Sequence, residues 1–153
     1  MRAVLLAFLL AFLLAACAAP EQTMFDQLVT ASKPYQRGEP CKPVLHIIQS
    51  DKVSATSVNC TVTITDGLVA LLNGAPDELA HTEAHELAHI VLKHDEASRA
   101  VEREADVIGV CIAAAAGYDL GAALKAFERV RFQTEEFEAR MRFLMNNNIL
   151  GYC

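Results

Sequence analysis

Apolar and polar positions change period along the chain, and the changes divide it into regions. Ala3 to Ala16 is an unbroken apolar run behind one basic residue, Arg2. It falls short of the roughly 18 to 20 residues that a bilayer-spanning helix needs, so it reads as a secretory signal. Between Met24 and Ala31, Phe25, Leu28 and Val29 share one helical face, which predicts a short helix. Lys33 to Pro43 holds three prolines and Gly38 and predicts a loop. Val44 to Gln49 is a β-type run. From Ser57 to Thr65, Val58, Cys60, Val62 and Ile64 alternate with Asn59, Thr61, Thr63 and Thr65, the pattern of one half-buried strand. Its expected partner is the run at Val44, paired antiparallel, with Asp66-Gly67 closing the strand and Leu68 to Leu72 opening helical territory.

From Pro76 onward the period is helical. Helices are predicted over Asp77 to His94, Ser98 to Ala116 (ended by Gly117), Leu120 to Phe132 and Thr134 to Asn146. Pro76-Asp77-Glu78 suits a first turn, where proline loses no bond and negative charge meets the positive end of the helix dipole. Phe127, Val130, Phe137, Met141 and Leu144 recur at helical spacing and are expected in the core. The expected fold is therefore α+β and helix-dominated, with a small antiparallel sheet preceding the helices. Residues 1–16 form the expected signal peptide, 17–23 a tether and 24–153 a single compact domain.

Charge and cysteines narrow the possible functions. The formal net charge is −6, from 13 basic and 19 acidic residues, which speaks against a nucleic-acid partner. Leu14-Ala15-Ala16-Cys17 ends the apolar run as the lipobox of bacterial lipoproteins does, so a lipid on Cys17 is expected to hold the chain at a membrane, on the periplasmic side of the cell envelope. Ala18 follows, not Asp, which by resemblance to known lipoproteins implies the outer membrane. With Cys17 acylated, four cysteines remain, an even number in a compartment that permits disulfides. Of the three possible pairings, Cys41 with Cys60, which flank a hairpin-like segment, and Cys111 with Cys153 is the one expected.

The residues that carry chemistry lie in the first long helix. His85-Glu86-Leu87-Ala88-His89 is H-E-x-x-H, and four residues advance a helix just over one turn, so both imidazoles face the same way and can share one zinc ion. Glu86 stands at the edge of that face, placed to act as a general base without ligating the metal. A third ligand is still required. A metzincin-type site needs Gly and His three and six residues beyond the second histidine, where this chain has Leu92 and Asp95. His94, five residues beyond His89, turns away from it along a continuous helix. The better candidate is Glu102, with Asp106 four residues on to orient a ligand histidine and Gly109 completing the face where a second helix can approach closely. Glu104 lies about 160° from Glu102 around the helix and is expected in solvent. An unbroken helix would separate His85 from Glu102 by roughly 25 Å, so a turn is required, expected over His94 to Ser98 with Asp95 or Ser98 capping the new helix. His81 is expected to be packed or capping, and His46 structural. Arg140 and Arg142 are expected on a solvated helix face, with Arg140 pairing to Glu136.

The run Thr65 to Val130 resembles the HtpX-like and CAAX-prenyl-protease family of zinc metallopeptidases (metallopeptidase family 48), and its periplasmic lipoprotein members above all. The similar blocks are Thr65-Asp66-Gly67-Leu68, Asp77-Glu78-Leu79-Ala80, His85 to His89 with His94, Ser98-Arg99, Glu102 to Asp106 with Ile108-Gly109-Val110, and Ala116-Gly117-Tyr118-Asp119. The resemblance implies a gluzincin-like metallopeptidase domain with one Zn2+, ligated by His85, His89 and Glu102. It makes Glu86 the general base and Asp106 the partner of a ligand histidine. It also implies that a peptide or misfolded protein substrate would pair along the strand near Asn59 and Thr61. The chain departs from the family in having only twelve residues between His89 and Glu102, and in having no histidine after His94 to steady an oxyanion. Arg129, Arg131 and Tyr118 are open candidates for that role. A metal-binding envelope lipoprotein that acts as a binding or assembly factor, with little peptidase activity, is the alternative expectation.

Overall fold

The computed structural model describes residues 19–130, 135–146 and 153. The signal peptide and Cys17 lie outside the described residues, as do Arg131 and the side chains of Phe127, Phe137 and Met141. The fold is mixed and mostly helical: α1 (Pro20–Ser32), a 3-10 turn (Lys33–Tyr35), β1 (Val44–Ile48), β2 (Ala55–Val58), β3 (Thr61–Thr65), α2 (Asp66–Leu71), α3 (Pro76–Leu92), α4 (Arg99–Ala115), α5 (Gly121–Arg129) and α6 (Glu135–Asn146). Helix α1 starts at Pro20, inside the stretch read as a tether, because proline at its first position is already set to a helical φ. Met24, Phe25 and Leu28 bury its inner face.

The sheet differs from the expectation in both pairing and strand count. Its order is β1-β3-β2, with β1 parallel to β3 (Val44 opposite Thr61, Ile48 opposite Thr65) and β2 antiparallel to β3 (Val58 opposite Thr61). Asn59-Cys60 is a turn, with Asn59 at φ 54, a conformation asparagine tolerates better than most residues. The turn reverses which face the apolar positions take, so Val58 is 65% exposed while Val62 and Ile64 are fully buried. The run from Ser57 to Thr65 is therefore a hairpin and not one strand. Both disulfides form as expected: Cys41 with Cys60, Cα atoms 6.0 Å apart, and Cys111 with Cys153, 5.2 Å apart. They point to an oxidising, non-cytoplasmic location. No helix among the described residues is long and apolar enough to cross a membrane.

The Thr65-Asp66-Gly67-Leu68 block anchors the sheet to the helices. Thr65 caps α2 by accepting from the Leu68 amide, Asp66 accepts from the Ser50 amide, and Leu68 is fully buried. A Cβ on Gly67 would meet the Asp51 carbonyl oxygen at 2.6 Å, so no larger residue fits. Beneath the sheet, α3 is the central element of a single core that includes Phe25, Leu28, Val62, Ile64, Leu87 and Ile112. Leu144 of α6 is also buried. Glu83 of α3 is fully buried with neither carboxylate oxygen hydrogen-bonded among the described residues. That burial first, and the charge of Glu21 next, push its pKa up to about 8.

Candidate metal centre

Helices α3 and α4 form an antiparallel hairpin, and the turn that makes it needs no glycine or proline. Lys93 caps α3 at φ 61, in the left-handed region, and the His94 amide donates back to the His89 carbonyl at 3.0 Å. That closure gives the end of α3 a Schellman-type stop. Ser98 then caps α4 by accepting from the Val101 amide. The turn falls where it was expected, with Ser98 and not Asp95 as the cap. Gly109 permits the contact between the helices, since a Cβ there would lie 2.9 Å from both the Cα and the N of His85.

This packing brings three sequence-predicted ligands together. His85 Nε2 and His89 Nε2 are 3.2 Å apart, and Glu102 lies 3.5 Å from the first and 3.6 Å from the second. Ligand atoms held about 2.0–2.1 Å from a tetrahedral zinc lie roughly 3.3–3.4 Å from one another, close to the separation of the two imidazole nitrogens, and a different oxygen of Glu102 faces each of them. Asp106, buried, places Oδ1 3.0 Å from His85 Nδ1, and a proton held on that nitrogen would leave Nε2 of the neutral ring bare toward Glu102 and His89. The donor set, two imidazoles and a carboxylate, suits zinc. Without a metal, burial disfavours a charged His85, but its hydrogen bonds to Asp106 and Glu102 outweigh that and raise its pKa to about 9. Burial first, and then the neighbouring His85, push His89 down to about 4. A hydrogen bond from His85 holds Glu102 below the usual carboxylate range.

The site opens into a cleft of about 350 Å³, with β2 on one side and the histidines and Glu102 on the other. Glu86 faces it, its Oε2 accepting from the Ser57 hydroxyl at 2.8 Å. The strand edge along the cleft is β2, Ala55 to Val58. Thr61 belongs to the inner strand, bonded on both sides, and Asn59 to the turn, so neither occupies the free edge where substrate pairing was expected.

Four participants were missed or misplaced in the sequence reading. His94 does not turn away: the Lys93 turn brings its Nδ1 to 3.0 Å from His89 Nδ1. Glu104 is not simply solvated, since it accepts from His94 Nε2 at 3.1 Å and from both terminal nitrogens of Arg37. Arg140 lies beside the candidate metal ligands, where its guanidinium donates to both oxygens of Asp106 and approaches Glu102 at 3.1 Å. Ser57 reaches Glu86. The helical pairing rule offered Glu136 for Arg140, and only the docking of α6 on α4 offers Asp106, 34 residues away. The bland reading of His81 holds, as its Nε2 bonds the Asp119 carbonyl at 2.8 Å, away from the cleft. His46 is exposed on β1. Two of the oxyanion candidates are engaged elsewhere, Arg129 with Glu78 and Tyr118 with Gln27. Comparison with models of known protein families and with characterised proteins returns no match.

Proposed function

We propose that this chain is a zinc-dependent endopeptidase of the bacterial envelope, held at the outer membrane by lipid on Cys17 and similar to the HtpX-like and CAAX-prenyl-protease metallopeptidases in its gluzincin-like site. The observation that carries the reading is the meeting of His85, His89 and Glu102 at zinc-ligand spacing, with an unligated Glu86 beside them in an open cleft. His85, His89 and Glu102 would hold the ion, which when bound supplies Lewis acidity and brings the pKa of its water to about 7. Glu86 takes a proton from the attacking water and delivers it to the leaving amine nitrogen as the peptide C–N bond breaks. Asp106 keeps His85 in the tautomer that exposes Nε2. The free edge of β2 supports an extended peptide adding as a further strand, with misfolded envelope proteins the substrate class implied by the resemblance.

One observation favours the alternative, a metal-binding lipoprotein with little peptidase activity. Arg140 is drawn onto Glu102 and Asp106, and neither Arg129 nor Tyr118 reaches the cleft to steady an oxyanion. Zinc content and caseinolysis of the full chain in detergent, compared with Glu86→Gln, decide between the two. Stoichiometric zinc in both proteins with proteolysis only in the wild type supports the peptidase. Zinc in both with proteolysis in neither leaves the binding protein, and zinc in neither removes the metal site.

A further inference from the structure

Behind His89 runs a line of polar side chains that the proposed chemistry does not use. His94 Nδ1 lies 3.0 Å from His89 Nδ1, and His94 Nε2 lies 3.1 Å from Glu104 Oε2. Glu104 is in turn held by two hydrogen bonds from Arg37, whose own backbone amide donates to the Val91 carbonyl at 2.8 Å.

The protons along this line can be assigned in order. An ionised carboxylate only accepts, so the bond between Glu104 and His94 is donated by His94 Nε2–H. A neutral imidazole carries one N–H, so His94 Nδ1 is then a bare acceptor. The short contact to His89 is therefore donated by His89 Nδ1–H, and His89 Nε2 is left with its lone pair toward His85 and Glu102. We infer that His94, Glu104 and Arg37 form a positioning relay that fixes the tautomer and ring orientation of His89, as Asp106 does directly for His85. Each imidazole of the site is thus aimed by one carboxylate, Asp106 in contact and Glu104 through an intervening ring. The Lys93 turn is what makes the second arm possible, because a helix continued past Leu92 would carry His94 away. The inference deepens the metal-site reading above and rests on it.

The test is zinc affinity, measured by chelator competition on the full chain in detergent. His94→Phe keeps an aromatic ring and removes both hydrogen bonds, and it is expected to weaken zinc binding roughly 10- to 100-fold, the usual effect of losing a partner of a ligand histidine. Glu104→Ala, at a half-exposed position, is expected to weaken it in the same direction. His46→Phe, on the exposed face of β1, serves as control and leaves affinity unchanged. In the zinc-loaded wild type, imidazole 15N spectra should show a protected N–H on Nδ1 of His89 that is lost in His94→Phe, a change that looser packing alone would not produce. Affinities within twofold of wild type in both variants overturn the relay while leaving the metal site standing. If His94→Phe does not fold, Glu104→Ala decides on the same criterion. A wild type that binds no zinc overturns the metal site and the relay together.

Discussion

Replacing Gly109 by alanine should damage the proposed metal site without replacing any ligand side chain. The added Cβ would sit 2.9 Å from His85 Cα and N and 3.2 Å from the Ala84 carbonyl carbon. Carbon contacts of this kind relax to about 3.5–4.0 Å, and the atoms met are backbone, so α3 and α4 must part by roughly half an ångström to one ångström. Overpacking of this kind costs about 1–3 kcal/mol, or roughly 3 to 15 °C in the melting midpoint of a domain this size. Glu102 rides on α4 and the histidines on α3, so the gaps of 3.5 and 3.6 Å between them widen by a similar distance. Metal–ligand distances tolerate only about 0.2 Å, so zinc affinity should drop at least about tenfold. Val110→Ala, one residue on, truncates a buried side chain and should lower the midpoint while leaving affinity close to wild type. Calorimetry of the metal-free proteins and chelator competition measure the two effects. A Gly109→Ala protein with wild-type midpoint and wild-type affinity would refute the argument that this glycine sets the ligand spacing.

Other expectations follow from single contacts. Glu83 is pushed up to about 8 from an ordinary 4.5, so between those pH values the unfolded chain has shed a proton that the folded chain keeps. Stability should therefore fall as pH rises from 4.5 to 8, by on the order of 3–5 kcal/mol, and level off above that. Glu83→Gln should flatten this part of the profile in denaturant titrations, and an unchanged slope would remove the assignment. Arg140→Gln leaves Asp106 without its guanidinium partner and should destabilise the metal-free protein by about 3 kcal/mol, while zinc raises its melting midpoint more than it raises that of the wild type. Lys93→Gly relieves a left-handed residue and should stabilise the fold by about 0.5–1 kcal/mol without altering zinc affinity; a loss of stability would contradict the turn geometry.

What the sequence made legible is what depends on short-range periodicity. The four-residue spacings of His85 with His89 and of Glu102 with Asp106 place each pair on one face whatever surrounds them. Gly109 announces a close approach. The requirement for a turn followed from helix length alone, and Ser98 marked the start of α4. Four things escaped. The run from Val58 to Ile64 keeps its alternation through a two-residue turn, so composition could not separate a hairpin from a strand. The parallel pairing of β1 leaves no local trace. Lys93 occupies a conformation usually taken by glycine, which hid the return of His94 and made Glu104 look idle. Arg140 reaches the centre only through the docking of α6, a long-range contact that no pattern within that helix can reveal.

The shortness of the link between His89 and Glu102 has a consequence for how the chain folds. All three ligands and the carboxylate on His85 lie between residues 85 and 106, in two helices adjacent in sequence. Closing so short a segment costs little chain entropy, and each doubling of its length would add about 0.6 kcal/mol. Contacts this local form early, ahead of the parallel pairing of β1 with β3. Under the proposed function, such a hairpin would meet its cation before Arg140, further along the chain, settles on Glu102 and Asp106. Ion capture at that stage would act as a folding template, fixing Glu102 against the two histidines before the helix that carries Arg140 docks.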